Sequence, residues 1–267
     1  MFKLFYNQRI KTYPNGTQII TTFNRNVFNP YGFDREVDLS DRAPPDILPF
    51  GPDIRVRLDN LKRSREHVFD IALMNSFDYF VTLTIDPKKL DSSDYDFVNR
   101  KIKKWFNNLV TRNNVKYLCV PELHKSGKVH FHLLMSGELD FIDSGTVLIP
   151  QRKKPVKLSN AVKICPDLSK HKIVYNLSNW KYGHSTLIKF EKCDDGYNGT
   201  TAIAKYLVKY LTKDLTKIMR NYYYAGGHLQ REVKTDYRNI PFESVFVPEL
   251  DVPNSDLKVK YQTIGVI

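Results

Sequence analysis

Hydrophobic and polar positions follow helical spacing in some stretches of the chain and strict alternation in others. Leu58, Leu61, Val68, Ile71 and Leu73 recur at roughly 3.6-residue spacing, with Lys62, Arg63, Arg65 and Glu66 between them, which predicts a helix over 58–76. Tyr79 to Ile85 sets Phe80, Thr82 and Thr84 against Val81, Leu83 and Ile85, a β-branched and aromatic strand closed by Asp86-Pro87. Ser92 or Ser93 is expected to cap a second helix that runs to Leu109, with Phe97, Ile102, Trp105, Phe106 and Leu109 as its buried stripe. Tyr117 to Leu123 and Val129 to Met135 read as a hairpin turning on Lys125-Ser126-Gly127. A further strand is expected over Ser185 to Phe190, and a third helix from Thr201 to Lys213 or on to Arg220. Residues 136–183 carry little pattern beyond the basic run from Gln151 to Lys157. This order of elements predicts an α+β fold, an antiparallel sheet with flanking helices.

The two ends read differently. Residues 1–57 are rich in Asn, Pro and Gly, and Pro44-Pro45 fits neither a helix interior nor a central strand. They are expected to form an N-terminal arm of unassigned role, with a short strand at Gln18 to Phe23 and little else. Residues 58–235 then form the main domain, and residues 236–267 a tail packing on the core.

Composition narrows the function classes. Of 267 residues, 42% are hydrophobic and 26% charged, enough to build a core and too apolar for a disordered chain. No stretch reaches the ~18 uncharged apolar residues of a membrane helix, and Met1 to Arg9 lack a secretory pattern. Cys119, Cys165 and Cys193 form no paired motif, which fits a reducing cytoplasm. With 41 Lys and Arg against 29 Asp and Glu, the net charge of +12 suggests a polyanionic partner.

Candidate chemistry sits on the hairpin and the last helix. His130 and His132, two apart on a strand, share a face and can share one divalent ion. A three-residue loop sets Glu122 opposite His130 and on the histidine face, whereas a two-residue loop puts it on the other face. His124 has the same parity and is the rival third ligand. Two imidazoles and a carboxylate suit Mn2+ or Mg2+, and Zn2+ takes such ligands too. On the helix from Ala202, a wheel at about 100° per residue places Tyr206, Lys209, Tyr210 and Lys213 on one face. Ile203, Ala204, Leu207, Val208 and Leu211 fill the adjacent apolar sector. A phenol ordinarily ionises near pH ~10, and neighbouring ammonium groups favour the phenolate and its attack on phosphorus.

Three motifs in order resemble those of the His-hydrophobic-His (HUH) endonucleases that initiate rolling-circle replication of plasmids and single-stranded DNA phages. Phe80-Val81-Thr82-Leu83-Thr84 resembles the first motif, and His130-Phe131-His132 the metal-binding motif. Tyr206-Leu207-Val208-Lys209-Tyr210-Leu211-Thr212-Lys213 resembles the nucleophile motif in its double-tyrosine form. The resemblance spans residues 58–225 and implies an RRM-like core, a central antiparallel sheet of about five strands with the histidines on a central strand and the Tyr206 helix across them. It further implies nicking of single-stranded or hairpin origin DNA in a bacterial host, through a 5′-phosphotyrosine link and a free 3′-hydroxyl, with later rejoining. Lys209 and Lys213 match the lysine that follows each tyrosine by three. A separate helicase and a host polymerase are expected as partners, because the chain carries no Walker loop. Tyr224-Ala225-Gly226-Gly227 matches no motif of the family.

Phosphate contacts are expected from Lys101, Lys103 and Lys104, from Arg152, Lys153, Lys154 and Lys157, and from Lys205 and Lys209. Rival readings are a relaxase or transposase of the same superfamily, a metallohydrolase using water with Glu122 as base, and a non-catalytic, metal-stabilised DNA-binding repressor.

Overall fold

A computed structural model describes residues 5–28, 58–91, 93–124, 127–152, 154–190, 200–213, 221–241, 250–251 and 258–264. Along the chain come β1 (Phe5–Thr12), β2 (Gln18–Phe28), α1 (Leu58–Met74), β3 (Tyr79–Ile85), α2 (Tyr95–Asn113), β4 (Lys116–Leu123) and β5 (Val129–Ser136). After these come β6 (Phe141–Leu148), β7 (Val156–Lys157), α3 (Leu158–Ile164), β8 (Lys172–Leu177), β9 (Gly183–Lys189) and α4 (Thr200–Lys213). The chain closes with β10 (Tyr224–Gly226), β11 (Lys234–Arg238), β12 (Leu250–Asp251) and β13 (Lys258–Ile264). Two compact units result, Arg55–Arg231 and Met1–Ile54 with Glu232–Ile267.

The larger unit is α+β, built on an antiparallel sheet in the order β10-β4-β5-β3-β9-β8-β6-β7. The sheet has eight strands rather than the expected five or so. The surplus comes from segments without readable alternation. β7 has two residues and β10 three. β6 is broken by a register shift between Asp143 and Thr146, with Gly145 in the left-handed region at φ 68°.

The strongest sequence patterns fold as read. β3 occupies Tyr79–Ile85, and β4 and β5 pair with Glu122 opposite His130 and Val120 opposite His132. His124 N–H bonds Lys128 C=O at 2.8 Å across the hairpin end, where Gly127 takes φ 77°. Lys125 and Ser126 lie outside the described residues. The cap of α2 differs from expectation: Asp94, not a serine, accepts from Phe97 N–H at 2.9 Å. Ser93 instead binds Asp91 through both its N–H and its hydroxyl. The continuation of the last helix towards Arg220 also lies outside the described residues.

Alternation then sorts the two sheet faces. Val81, Leu83, Ile85, Val129, Phe131, Leu133 and Met135 pack with Val98, Ile102, Trp105, Phe106 and Leu109 of α2 in one core. α4 packs against α1 and β4. The register puts Thr82, Thr84, Glu122, His130 and His132 on the face opposite α2. Cys119 and Cys165 are buried free thiols, and Cys193 lies outside the described residues. No helix among the described residues is long and apolar enough to cross a membrane.

The segments read as an arm and a tail together supply the other unit, an antiparallel sheet in the order β11-β1-β2-β13-β12. Its first strand, β1, is absent from the sequence-based expectation. Asn7 is 1% exposed, donating to Ile240 C=O at 2.6 Å and accepting from Ile240 N–H at 2.8 Å. That pair of bonds holds the C-terminal segment against β1 and satisfies a buried amide.

Two outcomes test these contacts. A Cβ on Gly183 would lie 2.0 Å from Thr84 C=O and 2.7 Å from Asp86 N, both backbone atoms that cannot swing away. Gly183→Ala is expected to destabilise the larger unit by about 2–3 kcal/mol, read by denaturant melts. Separately, Tyr117 stacks on Phe106 at 3.9 Å, and burial, with lesser help from nearby Cys119, pushes its hydroxyl up to about 12. Its folded-state value lies above the ordinary ~10, so stability is intact below pH ~10 and falls by about 3 kcal/mol by pH ~12. Tyr117→Phe should flatten that alkaline loss in melts run across the range.

Candidate functional site

The candidate site begins with the two strands that flank β5. β3 sets Thr82 opposite His132 and Thr84 opposite His130, while β4 sets Glu122 opposite His130. The carboxylate reaches diagonally to the other histidine: His132 Nε2 lies 2.7 Å from Glu122 Oε2. An ionised carboxylate only accepts, so Nε2 carries the proton and Nδ1 faces the Thr82 hydroxyl at 3.4 Å. Thr84 Oγ1 lies 3.5 Å from His130 Nδ1. His132 is 7% exposed, so both sides of its ring are oriented by protein groups.

His130 is half-buried, and the ring of His124 stacks on it with centroids 5.5 Å apart. Burial lowers its pKa, and the neighbouring charges of His124 and Lys128 lower it further against the opposing pull of Glu122. The neutral imidazole that results is the form able to bind a cation.

α4 adds the phenols. Leu207 and Ala204 are fully buried and Leu211 is 4% exposed, so the apolar sector read from the wheel is the one that packs. Tyr210 borders that sector and is drawn in with it, at 8% exposure. Its ring lies flat on His132, centroids 3.7 Å apart and planes 11° from parallel. Tyr206, one turn earlier, is 47% exposed and meets Tyr210 edge-on at 5.0 Å. The Tyr210 hydroxyl donates to that of Tyr206. Burial first, then that hydrogen bond, raises the pKa of Tyr210.

Phe80 is the residue that sequence reasoning assigned no role at the site. It stacks on His132 at 6.2 Å and meets Tyr206 edge-on at 5.5 Å. Its parity with Thr82 and Thr84 was visible in the alternation, but only the pairing of β3 with β5 brings it to the histidines.

The other expected site residues are dispersed. Lys205 and Lys209 are exposed on α4, and Lys213 is its last residue, its side chain outside the described positions. Arg152 and Lys154 are exposed near α3, and Lys153 lies outside the described residues. Lys103 and Lys104 are exposed on α2, the helix on the face away from the histidines. Tyr224 packs in the α2 core and its hydroxyl donates to Asn99 at 2.9 Å, a structural role.

Among the described residues, no three His, Cys, Asp or Glu side chains are gathered tightly enough to hold a metal ion as they stand. The donor chemistry of one pair nevertheless fits: His132 Nε2 and Glu122 Oε2 are near enough to bind one cation together, with His130 on the same face.

The family described as Replication-associated protein ORF2 matches residues 78–215, just over half of the chain. The match runs from the start of β3 to just past α4 and so contains every residue of the ring cluster. No curated protein and no solved structure matches the chain.

The stack makes Tyr210 a stability determinant as well as a site residue. Tyr210→Ala is expected to cost about 3 kcal/mol, and Tyr210→Phe, which keeps the ring, about 1 kcal/mol or less. Equilibrium unfolding of both variants checks the ordering.

Proposed function

Because this chain belongs to the Replication-associated protein ORF2 family, a family of replication initiators, we propose that it nicks and rejoins single-stranded origin DNA by tyrosine attack. The observation that carries this reading is the placement of two phenols over the His-x-His strand, Tyr210 flat on His132 and Tyr206 beside it. A purely structural tyrosine pair would not need its exposed member held against the histidine face.

The chemistry follows from these groups. A phenol oxygen attacks the scissile phosphorus, the bond to the 3′-oxygen breaks, and the departing oxygen takes up a proton as a 3′-hydroxyl. The phosphotyrosine ester keeps the bond energy of the phosphodiester, so the reverse attack by a 3′-hydroxyl rejoins strands. Tyr206 is the first nucleophile in this reading. It is the exposed phenol, and the hydrogen bond donated by Tyr210 stabilises its oxygen as negative charge develops. Tyr210 is the second phenol, available once its partner is esterified. Phe80 orients both the His132 ring and Tyr206. Lys209 and Lys213, each three residues after a tyrosine, offer positive charge to the phosphate.

His130, His132 and Glu122 are the residues that would hold a divalent ion, Mn2+ or Mg2+, and such an ion supplies Lewis-acid polarisation of the scissile phosphate when bound. Glu122 and Thr82 orient His132.

A denaturing gel with end-labelled single-stranded DNA and Mn2+ tests the reading. The expected product is a covalent adduct on the 5′ end of the downstream fragment, lost on chelation. Tyr206→Phe with Tyr210→Phe should abolish it and leave DNA binding in place, and Tyr206→Phe alone should cost more than Tyr210→Phe in the first cleavage. His132→Ala should cost at least about 100-fold in rate, since even groups that merely orient a ligand are worth 10–100-fold. Cleavage without an adduct assigns the reaction to water instead, and binding with no cleavage on origin DNA favours a repressor.

A further inference from the structure

We propose that a basic cleft at the far edge of the larger sheet is a second DNA contact, gripping the phosphates of the duplex that flanks the nicked strand. This rests on the reading above that the substrate is DNA. The cleft has a volume of about 600 Å3 and is lined by Arg152, Lys154, Val156, Asn160, Lys163 and Ile164. Three of the six are cations and none is acidic. Val147, Ile149, Ala161 and Cys165, with Val156, form a small separate core beside it, so the cations stand on a packed base. Arg152 N–H also bonds Ile149 C=O at 3.0 Å, which fixes the turn that carries it.

The occupant follows from this chemistry. A guanidinium forks onto phosphate oxygens, ammonium groups supply point charge, and the Asn160 amide offers donors. Val156 and Ile164 give a sugar edge an apolar wall. The whole chain carries +12, so a polyanion is the ligand its field attracts.

Sheet register separates this cleft from the tyrosines. Val156 is opposite Val147, Val147 opposite Ile173, Tyr175 opposite Leu187, Leu187 opposite Val81, and Val81 opposite Leu133. Ile173 and Tyr175, two apart, share a face. Val156 therefore lies on the face opposite His130 and His132, at the strand five places from β5. At ~4.8 Å per strand the separation is about 24 Å. That is about three Debye lengths at physiological salt, so charge at the cleft cannot act on the tyrosine site through the field. It is also about seven base pairs of duplex, so only a substrate with a flanking stem reaches both places.

The test uses the full-length protein and fluorescein-labelled DNA of arbitrary sequence, with binding read by anisotropy across a salt series. One probe is a single strand of about four nucleotides and the other carries a flanking stem of about ten base pairs. The triple variant Arg152→Ala, Lys154→Ala, Lys163→Ala should bind the stem-bearing probe at least tenfold more weakly, with the slope of log K against log salt shallower by about 2–3. It should bind the short strand as the parent does. Asn160→Lys should tighten the stem-bearing probe alone and steepen the slope by about one. Equal affinity of triple variant and parent for the stem-bearing probe overturns the proposal, as does an equal loss on both probes. Neither readout requires cleavage. Failure to form an adduct would therefore defeat the nicking reading and leave this one standing, and the converse also holds.

Discussion

The pairing of β5 between β4 and β3 is fixed by burial on both of its faces. Phe131, Leu133 and Met135 fill the α2 core, while His132 and Leu134 are buried on the opposite side. A slip of one residue would drive the histidines into the apolar core and lift Phe131 and Leu133 out of it. The positions of Glu122, Thr82, Thr84 and Phe80 around the two imidazoles all depend on that register. The core and the candidate site are thus two readings of one alternation.

The site itself is a cluster of rings held by a few polar contacts. His132 touches Tyr210 on one face of its ring, Phe80 more distantly, and Glu122 at its edge. α4 can place Tyr210 there because the apolar sector that seats the helix ends one residue position from the tyrosine. Tyr206 falls beyond that border and stays half in solvent. One helical turn therefore separates a buried phenol from an accessible one, and the two differ in environment although they repeat in sequence. This asymmetry is the physical basis for giving them different parts in the proposed reaction.

Long-range pairing decides how the ends of the chain are used. β1 and β2 form a hairpin closed by Gly16 at φ 79°, yet the hairpin needs strands from residues beyond 231 to complete its sheet. The Asn7 side chain bridges more than two hundred residues to Ile240. Contacts of this span leave no mark on local periodicity.

Much of the candidate site was legible because its chemistry lies on strongly patterned elements. Alternation placed His130 and His132 on one face, turn length placed Glu122 opposite His130, and helical spacing placed Tyr206 beside Tyr210. Those are local facts, set by the 2.0 and 3.6 periods of backbone geometry. The sequence could not say that Glu122 leans to His132 rather than His130, that Phe80 reaches the imidazole, or that Tyr210 is stacked while Tyr206 is open. Nor could it supply β10, β7 and the bulged β6, or the joining of the two ends in one sheet. Periodicity states which face of an element must be covered. Which neighbour covers it is settled only when the whole chain has packed, because that choice depends on the shapes and apolar areas of residues far apart in sequence.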